Sequence, residues 1–328
     1  MAAQILGRDG GRSRVTLDRR HRAETPKSGG GTAFGDFGDA GIRELSKLDI
    51  GLLDTLRSGH IRLLRREWML ELPDDDRIQR RQDLEKHVGP GHPLLSPEEA
   101  VKLVQSGRRA VGVLSYGWLS PGNPDPAGMR LRALKTALRE LDHIRAVFWD
   151  FASLPQKPRV NAGEETAFKA ALKVMGDLYA SAVGTSVLQL KEIPERPPEW
   201  NGCVYLGDLK DGLDEKALVD EIEAAWPFQE FGKVTVKQNS VRHEFDVHEA
   251  IVVFPDHSRA EDAVASESTW PQFCSFITLY YNERPYDERG WCVANCEIRR
   301  ERSLTRVCCR NQVRLRRLCQ LGATDPHQ

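Results

Sequence analysis

The sequence predicts an α/β protein in which a parallel sheet flanked by helices carries an inserted α+β unit. Two short apolar segments, 111–116 and 145–150, have the length of buried strands, and both end in polar residues. Segments with helical periodicity separate these two strands from each other and from a third strand at 185–190. Strands that alternate with helices favour a parallel sheet covered on both faces.

Length and composition set the class of protein. The chain has 328 residues, 40% of them hydrophobic and 29% charged, with a formal net charge of -1, which is typical of a soluble globular protein with room for two domains. A net charge near zero predicts no overall attraction to nucleic acid or to a membrane. No apolar segment approaches the ~20 residues that span a bilayer, and no signal-peptide pattern is present. We therefore expect a cytoplasmic or nuclear protein with no membrane partner.

Changes in composition predict how the chain is divided. The first segment is rich in Gly and Arg and poor in apolar residues, which predicts a disordered tail. Three prolines between 194 and 198 interrupt the strand–helix alternation and precede a second unit. The predicted divisions are a tail at 1–40, an α/β domain formed by 41–198 and 281–307, an insert at 199–280 and a basic segment at 308–328.

The helices of the α/β domain follow from apolar spacing and capping signals. Apolar residues recur at helical spacing from 42 to 68, and again at 128–141 and 164–181. The run Ser-Pro-Glu-Glu at 96–99 combines an N-cap, a proline at the first helical position and a glutamate at the third, which predicts a helix over 96–106.

The insert has a different order of elements. Its apolar patterns predict strand, helix, strand, strand, helix and strand, which is the order of a ferredoxin-like α+β fold. The predicted bounds are a strand at 203–207, a helix at 213–225, strands at 233–237 and 249–254, a helix at 258–266 and a last strand near 274–280.

Four short motifs follow one another in a fixed order. They are Leu-Ser-Tyr-Gly-Trp at 114–118, Phe-Trp-Asp-Phe-Ala-Ser-Leu-Pro-Gln at 148–156, Met-Gly-Asp-Leu-Tyr-Ala-Ser-Ala at 175–182 and Arg-Gly-Trp-Cys at 289–292. Together they resemble the heterokaryon-incompatibility (HET) domain and, more distantly, the TIR domain. The resemblance implies a TIR/HET-like parallel α/β fold. It also implies a signalling or interaction protein whose partners are other proteins or further copies of itself.

The resemblance also implies where catalysis would occur. TIR domains that cleave NAD carry a catalytic glutamate after a Trp-Cys pair, and a carboxylate there stabilises the positive charge that develops on the ribose. The matching position of this chain is Asn295, a neutral amide. Glu297 lies two residues further, about 200° around a helix. The candidate catalytic residues are therefore Asn295, Glu297 and Asp150, with NAD as the possible cofactor, and we expect NAD cleavage to be lost. An NAD-cleaving or nucleotide-binding enzyme remains the alternative.

The same motifs supply candidate residues for a ligand cleft at the strand ends. These side chains could line such a cleft, or the tryptophans could pack in the core while Asp150 caps a loop or helix. The candidate cleft residues are Ser115, Tyr116, Trp118, Trp149 and Trp291.

A second alternative is RNA binding by the insert. The segment Cys-Val-Tyr-Leu-Gly-Asp-Leu at 203–209 resembles the first signature strand of an RNA-recognition motif (RRM), with Tyr205 at a stacking position. Glu249 and Ile251 occupy the positions where the second signature carries its stacking rings. Residues 201–270 hold fifteen Asp and Glu against six Lys and Arg, a net charge of −9. We therefore expect an RRM-like fold that does not bind RNA. Such an acidic insert could be a protein-interaction module or a spacer that packs on the α/β domain.

Cysteine usage predicts reduced thiols and no metal site. The seven cysteines are odd in number and irregularly spaced. Cys292 and Cys296 lie one helical turn apart, but no C-x-x-C pair or nearby histidine completes a zinc set.

The C-terminal region is strongly basic. Residues 299–317 hold eight arginines and one acid, and apolar residues recur there at near-helical spacing. This pattern predicts an amphipathic helix with a basic outer face. That face could contact an anion, a nucleic acid or an acidic protein, could be solvated, or could dock against the acidic insert.

Overall fold

Within the residues that it describes, the computed structural model contains two sheets, the first with two hydrophobic core clusters and the second with one. It is a mixed α/β structure. The described residues are 15–16, 50–181, 184–211, 213–238, 240–244, 247–266 and 273–289.

The first sheet has the strand order β1-β5-β3-β4-β2. Strand β3 is central and runs parallel to both β4 and β5, so the predicted parallel neighbours are confirmed. Strands β1 and β2 pair antiparallel at the two edges. The strands are β1 Val15–Thr16, β2 Leu64–Arg65, β3 Val111–Tyr116, β4 Ala146–Phe148 and β5 Thr185–Leu190.

Both edge strands differ from the sequence prediction. Val15–Thr16 lie within the predicted disordered tail, yet they pair with β5, whose outer edge offers unpaired backbone groups. The other residues of 1–40 lie outside the described residues. Leu64–Arg65 lie within the segment predicted to be helical over 42–68, and they pair with β4 instead. A strand of two residues has no periodicity of its own, so only its partner reveals it.

Helices cover both faces of this sheet. One face packs against α5, and the other packs against the first helix, α4 and α7. The capping box predicted for α4 is present: Ser96 accepts from the amide of Glu99, and the Glu99 carboxylate accepts from the amide of Ser96. The helices are α1 at 50–57, α2 Arg66–Glu71, α3 Arg81–Leu84, α4 Pro97–Gln105, α5 Met129–Glu140, α6 Asp150–Ser153 and α7 Ala162–Ala180.

A buried carboxylate fixes the start of α5. Asp125 lies in the proline-rich loop after β3 and accepts hydrogen bonds from the amides of Arg130 and Leu131. Burial raises the pKa of Asp125, while these amide donors oppose the shift. A carboxylate at a helix N-terminus satisfies otherwise unpaired amides, so the loop and the helix are held together.

The second sheet has the order β10-β6-β9-β7, with β8 also paired to β9, and all its pairings are antiparallel. The predicted succession of strands and helices within 201–280 is confirmed, with one extra short helix and one extra short strand. Helices α8 and α10 pack on one face. The elements are β6 Cys203–Gly207, α8 Glu215–Ala225, α9 Phe228–Phe231, β7 Thr235–Val236, β8 Arg242–Glu244, β9 Val247–Val253, α10 His257–Ala265 and β10 Phe276–Leu279.

After β10 the chain returns to the first sheet. The amide of Asn282 donates to the carbonyl of Leu119 at 2.8 Å, and the hydroxyl of Tyr281 donates to the carbonyl of Pro194 at 3.1 Å. We call residues 281–289 the return segment. It brings Tyr286 and Arg289 to the carboxyl ends of β3 and β5, where the sequence places the candidate site.

Candidate functional site

The centre of the candidate site is the carboxylate of Asp150, the first residue of α6, which lies two residues after the end of β4. The hydroxyl of Tyr116 donates to its Oδ1 at 2.6 Å, and the indole Nε1 of Trp118 donates to its Oδ2 at 3.0 Å. The backbone amide of Phe151 also donates to Oδ1, at 2.7 Å. Both carboxylate oxygens therefore accept hydrogen bonds from the protein itself.

Burial governs the protonation of this pair. It raises the pKa of Asp150, while the hydrogen bonds from Tyr116, Trp118 and Phe151 act in the opposite direction. Burial also raises the pKa of Tyr116 well above its usual value, and the nearby charge of Asp150 adds to the shift. The Tyr116 hydroxyl therefore stays protonated and remains a donor to the carboxylate.

Trp149 extends the same network into the core. Its Nε1 donates to the Tyr116 hydroxyl at 2.8 Å, and the two rings pack edge to face with centroids 5.7 Å apart. Trp118 packs in the same manner against Phe151, at 5.9 Å. Donors that act in series polarise one another, so the chain from Trp149 through Tyr116 to Asp150 strengthens each link.

Ser115 points to the other side of β3 and meets the return segment. Its Oγ lies 2.6 Å from the Tyr286 hydroxyl, and the side-chain amide of Gln189 donates to the same hydroxyl at 3.3 Å. Ser115, Tyr116 and Trp149 are all buried. Ser115 is covered by Tyr286, and Tyr116 and Trp149 pack in the core, as in the packing alternative. The assignment of these three side chains to a ligand cleft stays a prediction. Trp118 remains partly exposed.

Arg289 packs against the loop that follows β3. It is buried, and its guanidinium donates to the backbone carbonyls of Trp118, Asn282 and Arg284. Gly117 permits this approach, because a Cβ at that position would overlap the Arg289 side chain. The glycine of the Leu-Ser-Tyr-Gly-Trp motif therefore leaves room for the Arg289 side chain. The motif alone does not predict this contact, because Arg289 lies far away in the sequence.

Three of the candidate residues are not part of this geometry. Trp291, Asn295 and Glu297 lie outside the described residues, which end at Arg289. Their predicted roles, and with them any role of NAD, stay predictions.

On the second sheet, Tyr205 is held by an acidic partner. Its hydroxyl donates to Oε2 of Glu249 at 2.7 Å, and Oε1 of Glu249 pairs with Arg242 at 3.2 Å. Phe276 packs edge to face against the Tyr205 ring, with centroids 6.1 Å apart. Sequence reasoning missed Phe276 because it searched β9 for a second ring. The ring comes from β10, where Phe276 pairs with Gly207, two residues from Tyr205 along β6. Residues two apart in a strand lie on the same face of the sheet.

A tryptophan covers the other end of the same sheet face. Trp200 belongs to a 3-10 turn, Pro198–Trp200, and stacks on Tyr280 with ring centroids 4.4 Å apart. The ammonium of Lys237 lies 3.7 Å from the Trp200 ring centre, within the range of a cation–π interaction. This face of the sheet is therefore partly occupied by the protein's own aromatic residues.

Other site classes find no support in the described part of the chain. Its His, Cys, Asp and Glu side chains form no group of three or more that could hold a metal ion. Cys292 and Cys296, the pair considered for a metal, lie outside it. Within the same residues, no helix is both long and apolar enough to cross a membrane.

The network at Asp150 predicts a loss of stability when its charge pattern is changed. In Asp150→Asn one carboxylate oxygen becomes an amide N–H₂ group. Depending on the side-chain orientation, this donor group then faces either the Trp118 indole N–H or the donors of Tyr116 and Phe151, which lose their acceptor. Leaving such partly buried donors unsatisfied should lower the free energy of unfolding by about 1–3 kcal/mol in urea titrations.

Asp142→Asn is the matched control, because the Asp142 side chain is 93% exposed. This control should change the free energy of unfolding by less than about 0.5 kcal/mol. Equal stabilities of the Asp150→Asn and parent proteins would show that the network contributes nothing to folding.

Comparisons with known proteins add no relative. No protein-family model matches the chain, no curated protein matches its sequence, and no solved structure matches its fold. The TIR/HET-like and RRM-like resemblances therefore rest on the sequence motifs.

Proposed function

We propose that this chain is a signalling or interaction protein built on a TIR/HET-like α/β domain with an RRM-like, ferredoxin-like insert. In this proposal it acts by assembling with other proteins or with copies of itself, in the cytoplasm or nucleus. It does not cleave NAD. The strand order β10-β6-β9-β7 supports the identity proposed for the insert.

The observation that carries the proposal is the use of the motif side chains in internal contacts. The Asp150 carboxylate accepts three hydrogen bonds from the protein, and Ser115 is covered by Tyr286. A carboxylate whose two oxygens already accept hydrogen bonds from the protein has less acceptor capacity left for a substrate, and a serine hydroxyl covered by a tyrosine is less accessible to one. Side chains that hold two strand ends together make the surface around them rigid, which suits the binding of another protein.

The sequence at the TIR glutamate position supports the same conclusion. A carboxylate aimed at developing positive charge contributes several kcal/mol to transition-state stabilisation, whereas a neutral amide contributes much less. With Asn295 at this position, the enzyme alternative would depend on Glu297 in a shifted register together with Asp150.

Nicotinamide release from NAD tests the enzyme alternative. We expect no release above background from the full-length parent protein or from Glu297→Ala. Asn295→Glu is the change expected to produce some turnover, because it restores the carboxylate with one added methylene. Asn295→Gln is the matched control of equal length without the charge. Turnover by the parent that disappears in Glu297→Ala would contradict the proposal.

Self-association is measured on the same protein samples. Sedimentation velocity over a range from about 1 to 100 μM should show a mass that rises with concentration, as for micromolar protein–protein contacts. A strictly monomeric protein that also releases nicotinamide would favour the enzyme alternative on both counts.

RNA binding is the weaker alternative, although the Tyr205–Phe276 ring pair is one observation in its favour. Against it, Glu249 holds the Tyr205 hydroxyl, and residues 201–270 carry a net charge of −9. Rings that stack bases normally lie in a basic groove.

We therefore expect the full-length protein to show no saturable binding to mixed-sequence single-stranded RNA up to about 100 μM at physiological salt, the upper end of the range of about 1–100 μM in which non-specific nucleic-acid binding usually falls. Fluorescence anisotropy is the measurement. Tight binding that is weakened by Phe276→Ala and by Tyr205→Ala, and by added salt, would show that the insert is an RNA-binding surface.

A further inference from the structure

A groove opens on the second sheet's unit where α8 ends and α9 begins. Its volume is about 340 Å³, and its apolar lining comprises Ile222, Trp226, Pro227, Phe228 and Val234. Phe228 is 70% exposed, whereas Trp226 is buried. The indole N–H of Trp226 makes no hydrogen bond within the described part of the chain. Exposed aromatic surface beside an apolar groove is a feature of protein-interaction sites.

Acidic residues surround this groove. Residues 211–230 hold seven Asp and Glu and one Lys, a net charge of −6. The acids of α8 are Glu215, Asp220, Glu221 and Glu223, and all four are exposed. Among the described residues none of them has an ion-pair partner. An occupant of the groove should therefore combine an apolar face with several positive charges.

The chain itself contains a segment of this kind. Residues 299–317 hold eight arginines and one glutamate, a net charge of +7. Apolar residues interrupt the arginines at helical spacing: Leu304, Val307, Cys308, Leu315 and Leu318. An amphipathic helix that lays its apolar face into a groove is a recurrent mode of recognition.

The connection is long enough for the segment to reach the groove. Fourteen residues separate Arg289, where the described chain ends, from Leu304. Such a stretch spans up to about 50 Å when extended, whereas a unit of about 80 residues measures about 30 Å across. Covalent attachment gives the segment an effective concentration in the millimolar range, which a separate partner rarely matches.

We propose that residues 304–318 dock as an amphipathic helix in the groove formed by Trp226, Pro227 and Phe228, with their arginines against the acids of α8. The docked segment covers the exposed Phe228 ring and neutralises most of the charge of 211–230. It also withholds its own arginines from outside partners until a competitor displaces it.

Disulfide trapping in the full-length protein tests this contact. Gln229→Cys places a thiol at the groove, and the segment and its end supply Cys308, Cys309 and Cys319 as natural partners. Burial raises the pKa of Cys203, and it raises the pKa of Cys274 to about 12. These two thiols are therefore poor competitors for a disulfide with the introduced cysteine, because the thiolate is the reactive form. The matched control is Glu140→Cys, at an exposed position on α5 of the other unit.

Mild oxidation followed by mass spectrometry should give an intramolecular disulfide from Gln229→Cys to one of the three natural cysteines. Its yield should exceed that from Glu140→Cys by about tenfold, because a few exposed ion pairs acting together favour the docked state by about this factor. Adding Arg310→Glu, Arg314→Glu and Arg317→Glu should reduce the yield to the control level, and 1 M salt should act in the same direction. Equal yields from the two cysteines would overturn the proposal. Disulfides between chains would overturn it in favour of a second copy.

Hydrogen–deuterium exchange gives an independent readout without added cysteines. If the segment docks, amides of residues 222–234 should exchange about tenfold faster in the triple Arg→Glu variant than in the parent, for the same loss of ion pairs. Amides of α5 serve as the internal control and should be unchanged. Identical exchange of 222–234 in the two proteins would contradict docking.

Discussion

The hydrogen-bonded carboxylate of Asp150 is the interaction on which the geometry of the strand ends depends. It joins the end of β3, through Tyr116 and Trp118, to the start of α6 after β4, through the amide of Phe151. A carboxylate removed from water must be hydrogen-bonded, and donors around it are in turn left unsatisfied without it. The donors Tyr116 and Trp118 and the acceptor Asp150 therefore depend on one another, although about thirty residues of sequence separate the donors from the acceptor.

Two buried arginines extend this constraint to the loop after β3. Arg130 of α5 donates to the carbonyl of Gly117 at 3.3 Å, and Arg289 of the return segment donates to the carbonyl of Trp118. A guanidinium has five donors in a rigid plane, which suits it to hold several backbone carbonyls at once. The loop is thus held from the helix on one side and from the end of the described chain on the other. Contacts of this kind make a fixed surface, which is consistent with a function in assembly.

Sequence reasoning succeeded where the signal is local. Strands β3, β4 and β5 are apolar runs flanked by helical periodicity, and α4 carries its own capping box. It failed for Val15–Thr16, which have no pattern of their own and depend on pairing with β5. It also missed the partner of Ser115, because Tyr286 lies 171 residues away and no local pattern marks the contact. Phe276 joins Tyr205 only through strand pairing, so a search along one strand does not find it.

If the hydrogen bond between Asp150 and Trp118 holds the two strand ends together, the contributions of the two side chains to stability depend on each other. A double-mutant cycle measures this dependence from the free energies of unfolding of the parent, Asp150→Ala, Trp118→Phe and the double variant. Trp118→Phe keeps an aromatic ring against Phe151 and removes the indole donor. We expect a coupling free energy of about 1–2 kcal/mol between the two positions, within the range for side chains in direct contact. Additive effects, with a coupling free energy near zero, would show that this hydrogen bond does not hold the strand ends together.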